Sequence, residues 1–406
     1  MARVAHVPGK IIAPPRMQRS TNFGRGVLLS FRAFQTSHPT SHLSMALQSM
    51  ASDSKSGQLA ATRSRESGRK TALRDTSRGG PVVALTGAAS FLGTNVIGLL
   101  EEDERVQRIV AIDIKAPSTA GKKTRSYEVD FTQPTAEARL AEVLAAERAD
   151  IVVHLAFLAN PTPASAWAHE LESVGTMHVL VAARHAQVRK VVMWSQTLLY
   201  GAHPSNPNFL SERHPLRADR HEPFFVDKVE AEAEASKFAR RAPGSVVTVL
   251  RMAPLLGPTV HNYMTRYLAH RMVPTMMGFD PLLQFLHEVD AIAALKLAID
   301  RDVPGTFNIV GDGVLPLSTV IKLAGRIALP IPHPVAESVC ALGWLAQVAE
   351  VPPAFLKYLR FLCVADGTKA QKEMGFRPAY TTREALLDFV SAQRLRDVKL
   401  LQENVA

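Results

Sequence analysis

The stretch that decides the fold is "PVVALTGAASFLGTNVIGLLEE", residues 81–102. Its first part is an uncharged, β-branched run that ends in glycine, which predicts a buried strand. Its second part places apolar residues at helical spacing and predicts a helix. A strand that turns through glycine directly into a helix indicates a βαβ unit of a parallel sheet.

The same alternation continues along the chain. Five further strands are predicted at "RIVAIDI" (108–114), "RSYEVDF" (125–131), "ADIVVHLAF" (149–157), "KVVMWSQ" (190–196) and "SVVTVLRM" (245–252). Helical segments lie between them, for example "GTMHVLVAARHAQ" (175–187) and "DKVEAEAEASKFARR" (227–241). This order predicts an α/β fold with a Rossmann-type, doubly wound parallel sheet and right-handed crossovers.

The turn after the first strand carries the pattern Gly87-x-x-Ser90-x-x-Gly93. Such a turn presents backbone N–H groups and a helix N-terminus to a pyrophosphate. Ser90 stands where a third glycine is usual, and its side chain either crowds a diphosphate or donates a hydrogen bond to it. The strand, the turn and the helix together predict nucleotide binding.

Two acidic residues stand at the ends of the next strands. Asp113 follows Gly93 by twenty residues. A carboxylate there accepts hydrogen bonds from ribose hydroxyls and repels a 2′-phosphate, which predicts NAD rather than NADP. Asp130, after the third strand, is either a contact for the adenine amino group or a solvated acid at a strand end.

The charge of +10 is unevenly distributed. Residues 1–80 hold 13 Lys and Arg against 3 Asp and Glu, whereas residues 81–406 hold 34 against 34. The predicted folded part is therefore electrically balanced. Because nucleic-acid binding needs a basic face on the folded domain, this balance argues against it.

Residues 1–80 are predicted to be a disordered basic segment, because they contain little apolar material. The absence of acidic residues before Met50 resembles a transit peptide, and the alternatives are a basic tail or a later start at Met45 or Met50. We expect a cytoplasmic protein, with an organelle as the alternative. The uncharged stretches 81–100 and 329–349 are interrupted by polar residues or prolines, so no membrane span is predicted.

The two cysteines, Cys340 and Cys363, form no CxxC pair and have no histidine cluster beside them. Their apolar surroundings predict ordinary thiols in a reducing compartment rather than a disulfide or a metal site. No metal ligands are therefore predicted.

A series of motifs resembles the extended short-chain dehydrogenase/reductases, the NAD-dependent epimerase/dehydratase family, over residues 81–392. In chain order they are "LTGAASFLG" (85–93), "VVHLAF" (152–157), "LLYG" (198–201), "LRMAPLLGP" (250–258), "FLHEVDAIAAL" (285–295), "GTFNIVGDG" (305–313) and "DGTKAQKEMGFRP" (366–378). The resemblance implies a mainly NAD-binding core at 81–255, a smaller and mostly helical substrate lobe at 256–392, and a tail at 393–406. The cofactor contacts that it implies, together with the strand-end residues above, are Thr86, Gly87, Ser90, Phe91, Leu92, Gly93, Asp113, Asp130, Phe131, Leu155, Ala156 and Lys228.

The family's chemistry depends on an Asn, a Ser or Thr, a Tyr and a Lys. Here the Asn position holds Glu172, the Ser/Thr position holds Gln196 and the Tyr position holds Phe224. Only Lys228 is retained. Since phenylalanine cannot exchange a proton, the resemblance predicts that hydride transfer by the usual route is absent or very slow.

Two functions therefore stay open. One is an enzyme of the UDP-sugar 4-epimerase-like branch with residual or altered chemistry on a nucleotide sugar or another hydroxylated molecule, with Thr197, Ser195, His287 or a nearby tyrosine supplying the proton. The other is a catalytically silent NAD(H)-binding sensor or scaffold, that is, a pseudoenzyme. Arg251, Tyr263, Arg266 and His287 are the predicted substrate residues, and the resemblance implies a homodimer.

Overall fold

The structure is a computed structural model, which describes residues 79–403, with side chains up to residue 396. The predicted disordered segment 1–80 therefore lies outside the described residues except for its last two. Within the described residues no helix has both the length and the apolar character needed to cross a membrane.

A seven-stranded sheet forms the centre of the fold. Its strands are β1 Val82–Thr86, β2 Arg108–Asp113, β3 Thr124–Glu128, β4 Ile151–His154, β5 Lys190–Gln196, β6 Val246–Met252 and β11 Gly305–Ile309. Their order is β11-β6-β5-β4-β1-β2-β3, and all neighbours are parallel. The Rossmann-type sheet that the sequence predicts is confirmed.

Ten α-helices lie among the described residues, on the faces of the sheet and in the smaller part of the fold. They are α1 Phe91–Glu102, α2 Ala136–Ala146, α3 Ser165–His169, α4 Gly175–His185, α5 Pro223–Arg241, α6 Tyr263–Ala269, α7 Glu288–Asp300, α8 Leu317–Leu323, α9 His333–Leu345 and α10 Thr382–Glu403. α4 packs against α2 and α5, and α1 packs against α7. Strands β1, β4 and β5 are buried along their whole length, as expected for a parallel sheet covered on both faces.

The sheet order reverses at β1, which pairs with β2 on one side and with β4 on the other. Thr86 at the end of β1 thus lies beside Ile112 of β2 and His154 of β4. Ligands of doubly wound sheets bind outside the carboxyl ends of the strands at such a reversal. The fold therefore places the glycine-containing turn, which follows Thr86, at the position where a ligand site is expected.

The smaller part of the fold contains three two-stranded ladders and short helices. The ladders join β7 Leu255–Leu256 to β10 Leu286–His287, β8 Met272–Met276 to β13 Ile327–Ile331, and β9 Leu282–Leu283 to β12 Leu315–Pro316. A 3₁₀ segment at Pro353–Leu359 follows α9. The final helix α10 continues past residue 392, into the stretch that the sequence assigns to a tail.

Helix α9 is unusually apolar on its open face. Val339, Leu342 and Leu345 are 61%, 68% and 82% exposed. The three side chains therefore lie outside the core.

Candidate cofactor and active site

The turn between β1 and α1 is held tightly against the end of β4. Gly87 has a φ of +69°, and a Cβ on it would lie 2.5 Å from the carbonyl carbon of Leu155. A Cβ on Gly93 would lie 2.3 Å from the carbonyl oxygen of Gly87. Both positions therefore need glycine for close backbone packing, and Gly87 needs it for its φ as well.

Ser90 caps helix α1. Its Oγ accepts a hydrogen bond of 3.1 Å from the Gly93 N–H, and its φ of −70° suits any residue. The bond uses the serine oxygen as an acceptor, so the hydroxyl hydrogen is free to donate. This geometry explains how a serine occupies a position where glycine is usual.

The carboxylate of Asp113 contacts the same turn. It accepts hydrogen bonds from the Ala89 N–H at 2.9 Å and from the Ile114 N–H at 2.7 Å. The end of β2 is thereby joined to the glycine turn, and a negative charge stands beside it.

Asp130 and Phe131 lie at the far side of the sheet. Asp130 is exposed and accepts hydrogen bonds from Thr132 and Gln133, and these bonds lower the pKa of its carboxyl. Phe131 is 3% exposed and packs in the main core. The carboxylate of Asp130 thus caps a local turn.

His154 ends β4 and is completely buried. Its Nε2 lies 2.9 Å from Oγ1 of Thr176, whose hydroxyl donates to the Glu172 carbonyl. Nε2 therefore carries the proton, and Nδ1 accepts from the Thr86 hydroxyl at 2.6 Å. Burial lowers the pKa of His154 to about 3, which keeps the ring neutral.

Because His154 is buried and neutral, we expect the folded protein to lose stability as the pH falls. An unfolded histidine takes up a proton near pH 6.5, whereas His154 in the folded protein stays neutral down to about pH 3. The free energy of unfolding should therefore fall by about 1.4 kcal/mol for each pH unit as the pH drops through this window. In urea titrations from about pH 6 to pH 4, His154→Gln should lose this part of the slope. Equal slopes in both proteins would contradict the assignment.

Two of the four positions that the resemblance assigns to the family's catalytic group, Glu172 and Lys228, form a buried ion pair. Lys228 Nζ donates to Oε1 and Oε2 of Glu172 at 2.8 and 2.7 Å. Glu172 also accepts from the Leu158 N–H. The ammonium lies 3.6 Å above the centre of the Phe224 ring, in cation–π geometry. Lys228 thus contacts the two residues that replace Asn and Tyr.

Burial acts on both members of this pair. It raises the pKa of Glu172 and lowers the pKa of Lys228, and the opposite charge of each partner works against these shifts. Glu172 and Lys228 are 0% and 2% exposed, so water does not solvate either charge. The pair holds α5 to the segment that precedes α4.

Apart from its contact with the Lys228 ammonium, Phe224 belongs to an aromatic cluster. Its ring centre lies 5.6 Å from those of Phe225 and Phe355. Tyr263 packs edge-on against Phe355, and burial raises the pKa of its phenol far above the usual range. This phenol therefore stays protonated at neutral pH.

A cleft opens above the glycine turn, at the carboxyl ends of β4, β5 and β6. It is lined by Ser90, Phe91, Leu92, Leu155, Phe157, Ala159, Trp194, Gln196, Leu198, Met252, Ala253, Pro254, Leu255, Val260, His261, Asn262 and Tyr263. Gln196 Oε1 and Trp194 Nε1 are buried and have no hydrogen-bond partner among the described residues. Trp194 was not predicted, although it precedes Gln196 by two residues and so shares its face of the strand.

The predicted substrate residues do not all meet in this cleft. Tyr263 lines it, whereas Arg266 is exposed and does not line it, although its charge acts on His261 at the cleft. Arg251 is 7% exposed and binds Glu232 through Nε at 3.0 Å and Nη2 at 2.6 Å. Its remaining amino group donates to the Tyr200 hydroxyl at 2.9 Å. The guanidinium is therefore an internal structural group.

His287 is also structural. Its Nδ1 accepts from the Val289 N–H, its Nε2 lies 3.0 Å from Asp388, and its ring stacks on Tyr380 at 3.8 Å. It does not line the cleft. Of the other proposed proton donors, Ser195 donates to Glu232 and Thr197 is buried.

Beside Lys228, one further polar cluster lies near the surface. His169 Nδ1 is 2.7 Å from Asp227 Oδ1 and 3.9 Å from Glu230. Asp227 raises the pKa of this histidine. Ligand atoms of the three side chains lie within 4.8 Å of one another, a spacing that a metal ion could use, but the histidine–aspartate hydrogen bond already accounts for it.

Comparison with known proteins shows which family the chain belongs to. The model of the NAD dependent epimerase/dehydratase family matches residues 83–310. The chain belongs to this family. The resemblance read from the motifs is therefore confirmed.

Relatives of this epimerase/dehydratase family member come from actinobacteria. Uncharacterized proteins of Mycobacterium tuberculosis and Mycobacterium bovis are 34% identical over 323 residues, which cover 78% of this chain and 85% of theirs. A 3-diazoavenalumate denitrifying reductase of a Streptomyces species is 29% identical over 275 residues, covering 64% of this chain and 87% of its own.

Solved structures of the family share the fold. MoeE5 in complex with UDP-glucuronic acid and NAD aligns with a TM-score of 0.61 at 23% identity, over 78% of this chain and 100% of its own. The UDP-glucose 4-epimerase of Thermotoga maritima aligns with a TM-score of 0.60 at 19% identity, over 78% and 99%. At these identities the likeness shows the fold alone.

Proposed function

We propose that this chain binds a nicotinamide dinucleotide above the glycine turn and lacks the tyrosine-dependent hydride transfer of its family. The observation that carries the proposal is the buried Glu172–Lys228 pair, with Phe224 in the tyrosine position. A phenol beside the lysine is what exchanges a proton with a substrate hydroxyl in this family, and general acid–base catalysis is worth about 10²–10⁴-fold. A ring without a hydroxyl and a lysine that is tied to glutamate cannot supply it.

The turn supports the dinucleotide half of the proposal. Gly87 and Gly93 bring backbone N–H groups and the start of α1 to one point, and these residues with Ser90 would hold the diphosphate. Asp113 would accept hydrogen bonds from the adenosine ribose, and Phe91, Leu92, Leu155 and Ala156 would enclose the ligand. When bound, the nicotinamide supplies a hydride donor or acceptor. Two solved structures with the same fold, MoeE5 and the dTDP-glucose 4,6-dehydratase DesIV of Streptomyces venezuelae, contain NAD, which supports NAD as the dinucleotide.

Asp113 predicts a preference for NAD over NADP. In Asp113→Asn the negative charge that repels a 2′-phosphate is gone, while the amide oxygen still accepts from the turn. We expect the ratio of NADP to NAD dissociation constants to fall by about tenfold. Calorimetric titration of the full chain measures it, with the exposed Glu104→Gln as the control for loss of one charge. An unchanged ratio would remove Asp113 from the site.

The chemistry is tested on the wild-type chain. A thermal-shift panel of NAD, NADH, NADP and NADPH reports binding, since a hundredfold excess over Kd stabilises by about 2.7 kcal/mol. UDP-sugars, the substrates that the family resemblance implies, are then assayed for NADH formation and for isotope washout at the carbinol carbon. Binding without turnover supports the proposal. Robust turnover that Thr197→Val abolishes would overturn it.

The second candidate is a catalytically silent sensor or scaffold for NAD(H), favoured by the same ion pair. A sensor needs different affinities for the oxidised and reduced forms. A tenfold or larger difference between NAD and NADH without turnover would favour it. Light scattering on the same sample checks the homodimer, which remains a prediction.

Hydride transfer to an electrophile that needs no proton from the protein would not require a tyrosine. The relative named as a denitrifying reductase makes such reductions worth including in the assays. This chemistry is compatible with Phe224 and is distinct from epimerisation or dehydration of a sugar.

A further inference from the structure

We propose that the second ligand of the cleft is a flat, uncharged molecule with an aromatic ring, and not a nucleotide diphosphate sugar. The inference rests on the proposed function, because it places this ligand beside a bound dinucleotide. It names the chemical class that the cleft selects.

The first step is the charge of the cleft. Of the described residues that line it, none is a lysine, arginine, aspartate or glutamate. His261 lines the cleft and is exposed; partial burial and the charges of Arg396 and Arg266, which lie near it without lining the cleft, lower its pKa. A second diphosphate would need cations or a further set of N–H groups, whereas the start of α1 serves the dinucleotide. The arginines predicted for this task do not line the cleft.

The second step is the shape of the walls. Phe157, Trp194 and Tyr263 present aromatic rings to the cleft beyond Phe91, which the proposed function assigns to the dinucleotide, and aliphatic side chains fill most of the remaining surface. The rings of Phe157 and Trp194 already pack edge-to-face, 5.9 Å apart. Aromatic walls favour a flat apolar ligand, which gains by stacking and by leaving water.

Two buried polar atoms of the cleft have no hydrogen-bond partner among the described residues. Gln196 Oε1 is a hydrogen-bond acceptor and Trp194 Nε1 is a donor, and both are buried without a partner. A buried polar group without a partner costs roughly 1–3 kcal/mol, which a ligand recovers when it supplies the bond. Both residues line the cleft. The ligand should therefore carry one neutral donor and one neutral acceptor, as a phenol or a carboxamide does.

The test is a calorimetric titration of the full chain at saturating NAD, with 4-hydroxybenzamide as the neutral aromatic probe and UDP-glucose as the alternative. We expect 4-hydroxybenzamide to bind with a Kd of about 1 mM or tighter, and UDP-glucose to bind more weakly. Gln196→Leu and Trp194→Phe should each weaken the probe by about tenfold. The matched controls are Gln371→Leu and Trp167→Phe, which change an exposed glutamine and an exposed tryptophan and should leave the Kd unchanged.

Three results would overturn the inference: tighter binding of UDP-glucose, an unchanged Kd in both cleft variants, or displacement of 4-hydroxybenzamide by NAD. Melting curves of each variant confirm that it is folded. NAD titrations without the aromatic probe report separately on the proposed function. A chain that binds NAD but not the probe keeps that function and loses this inference, whereas a chain that binds no NAD loses both.

Discussion

Replacing Glu172 by alanine should lower the free energy of unfolding by about 3–5 kcal/mol. The substitution leaves the ammonium of Lys228 buried, 2% exposed, with only the Phe224 ring beside it. Water cannot reach the charge, so the folded state must either carry it unpaired or release the proton. Both cost free energy that the native pair avoids.

The change in the free energy of unfolding with pH is a second readout for Glu172→Ala. In Glu172→Ala the lysine has lost the partner that favours its charged form, while burial still lowers its pKa. The folded protein then binds fewer protons than the unfolded chain, whose lysine titrates near pH 10.4. Stability of the variant should therefore rise relative to wild type as the pH increases toward that value.

Urea unfolding of three variants checks this expectation. Glu172→Ala should be far less stable than Glu230→Ala, which removes an acid that is 49% exposed on the same α5 helix as Lys228. Glu172→Leu combined with Lys228→Met removes both charges and should recover most of the loss, because apolar replacements of buried pairs are often neutral. A loss below about 1 kcal/mol in Glu172→Ala would mean that the pair is not buried as described.

The second large effect is expected at Gly87. In Gly87→Ala the new Cβ would lie 2.5 Å from the Leu155 carbonyl carbon and 2.6 Å from the Ala156 nitrogen, both of which are backbone atoms. A φ of +69° adds strain for any side chain. Because backbone cannot move aside as a flexible side chain can, we expect a loss of about 3 kcal/mol or more.

Gly244→Ala is the matched control, because a Cβ there meets nothing within 4 Å and its φ is ordinary. It should change stability by less than about 0.5 kcal/mol. Urea unfolding and the soluble yield of the two proteins give the comparison. Similar unfolding free energies for both variants would contradict the close packing of the turn on β4.

Much of the candidate site was predictable because its signals are local. The glycine spacing, the preceding strand and the distance to Asp113 lie within one βαβ unit, and the structure places them together. The sequence also locates Glu172, Gln196 and Phe224 at the expected catalytic positions, because each stands at a fixed distance from a landmark of the family. That they replace the catalytic residues stays a prediction. That Glu172 would bind Lys228 was not predicted, since each position was considered only against the residue that it replaces.

What the sequence did not show are the internal partners of long side chains, because those partners are distant in sequence. Arg251 and His287 were predicted to line a substrate lobe, yet Arg251 pairs with Glu232 and His287 with Asp388. An arginine or histidine looks the same in a sequence whether it faces a ligand or an internal carboxylate. Which of these two roles the side chain has depends on its partner, and that partner lies on another helix or strand.

The sequence by itself determined the parallel sheet and the glycine turn, and it predicts the loss of the phenol, because periodicity, backbone requirements and side-chain chemistry are properties of short segments. Only the tertiary structure decided that the retained lysine is paired with a glutamate 56 residues away, and that the cleft is uncharged. These features depend on which side chains the packing brings together and shields from water. Burial changes the energy of a charge by several kcal/mol, and it exists only once the chain has folded.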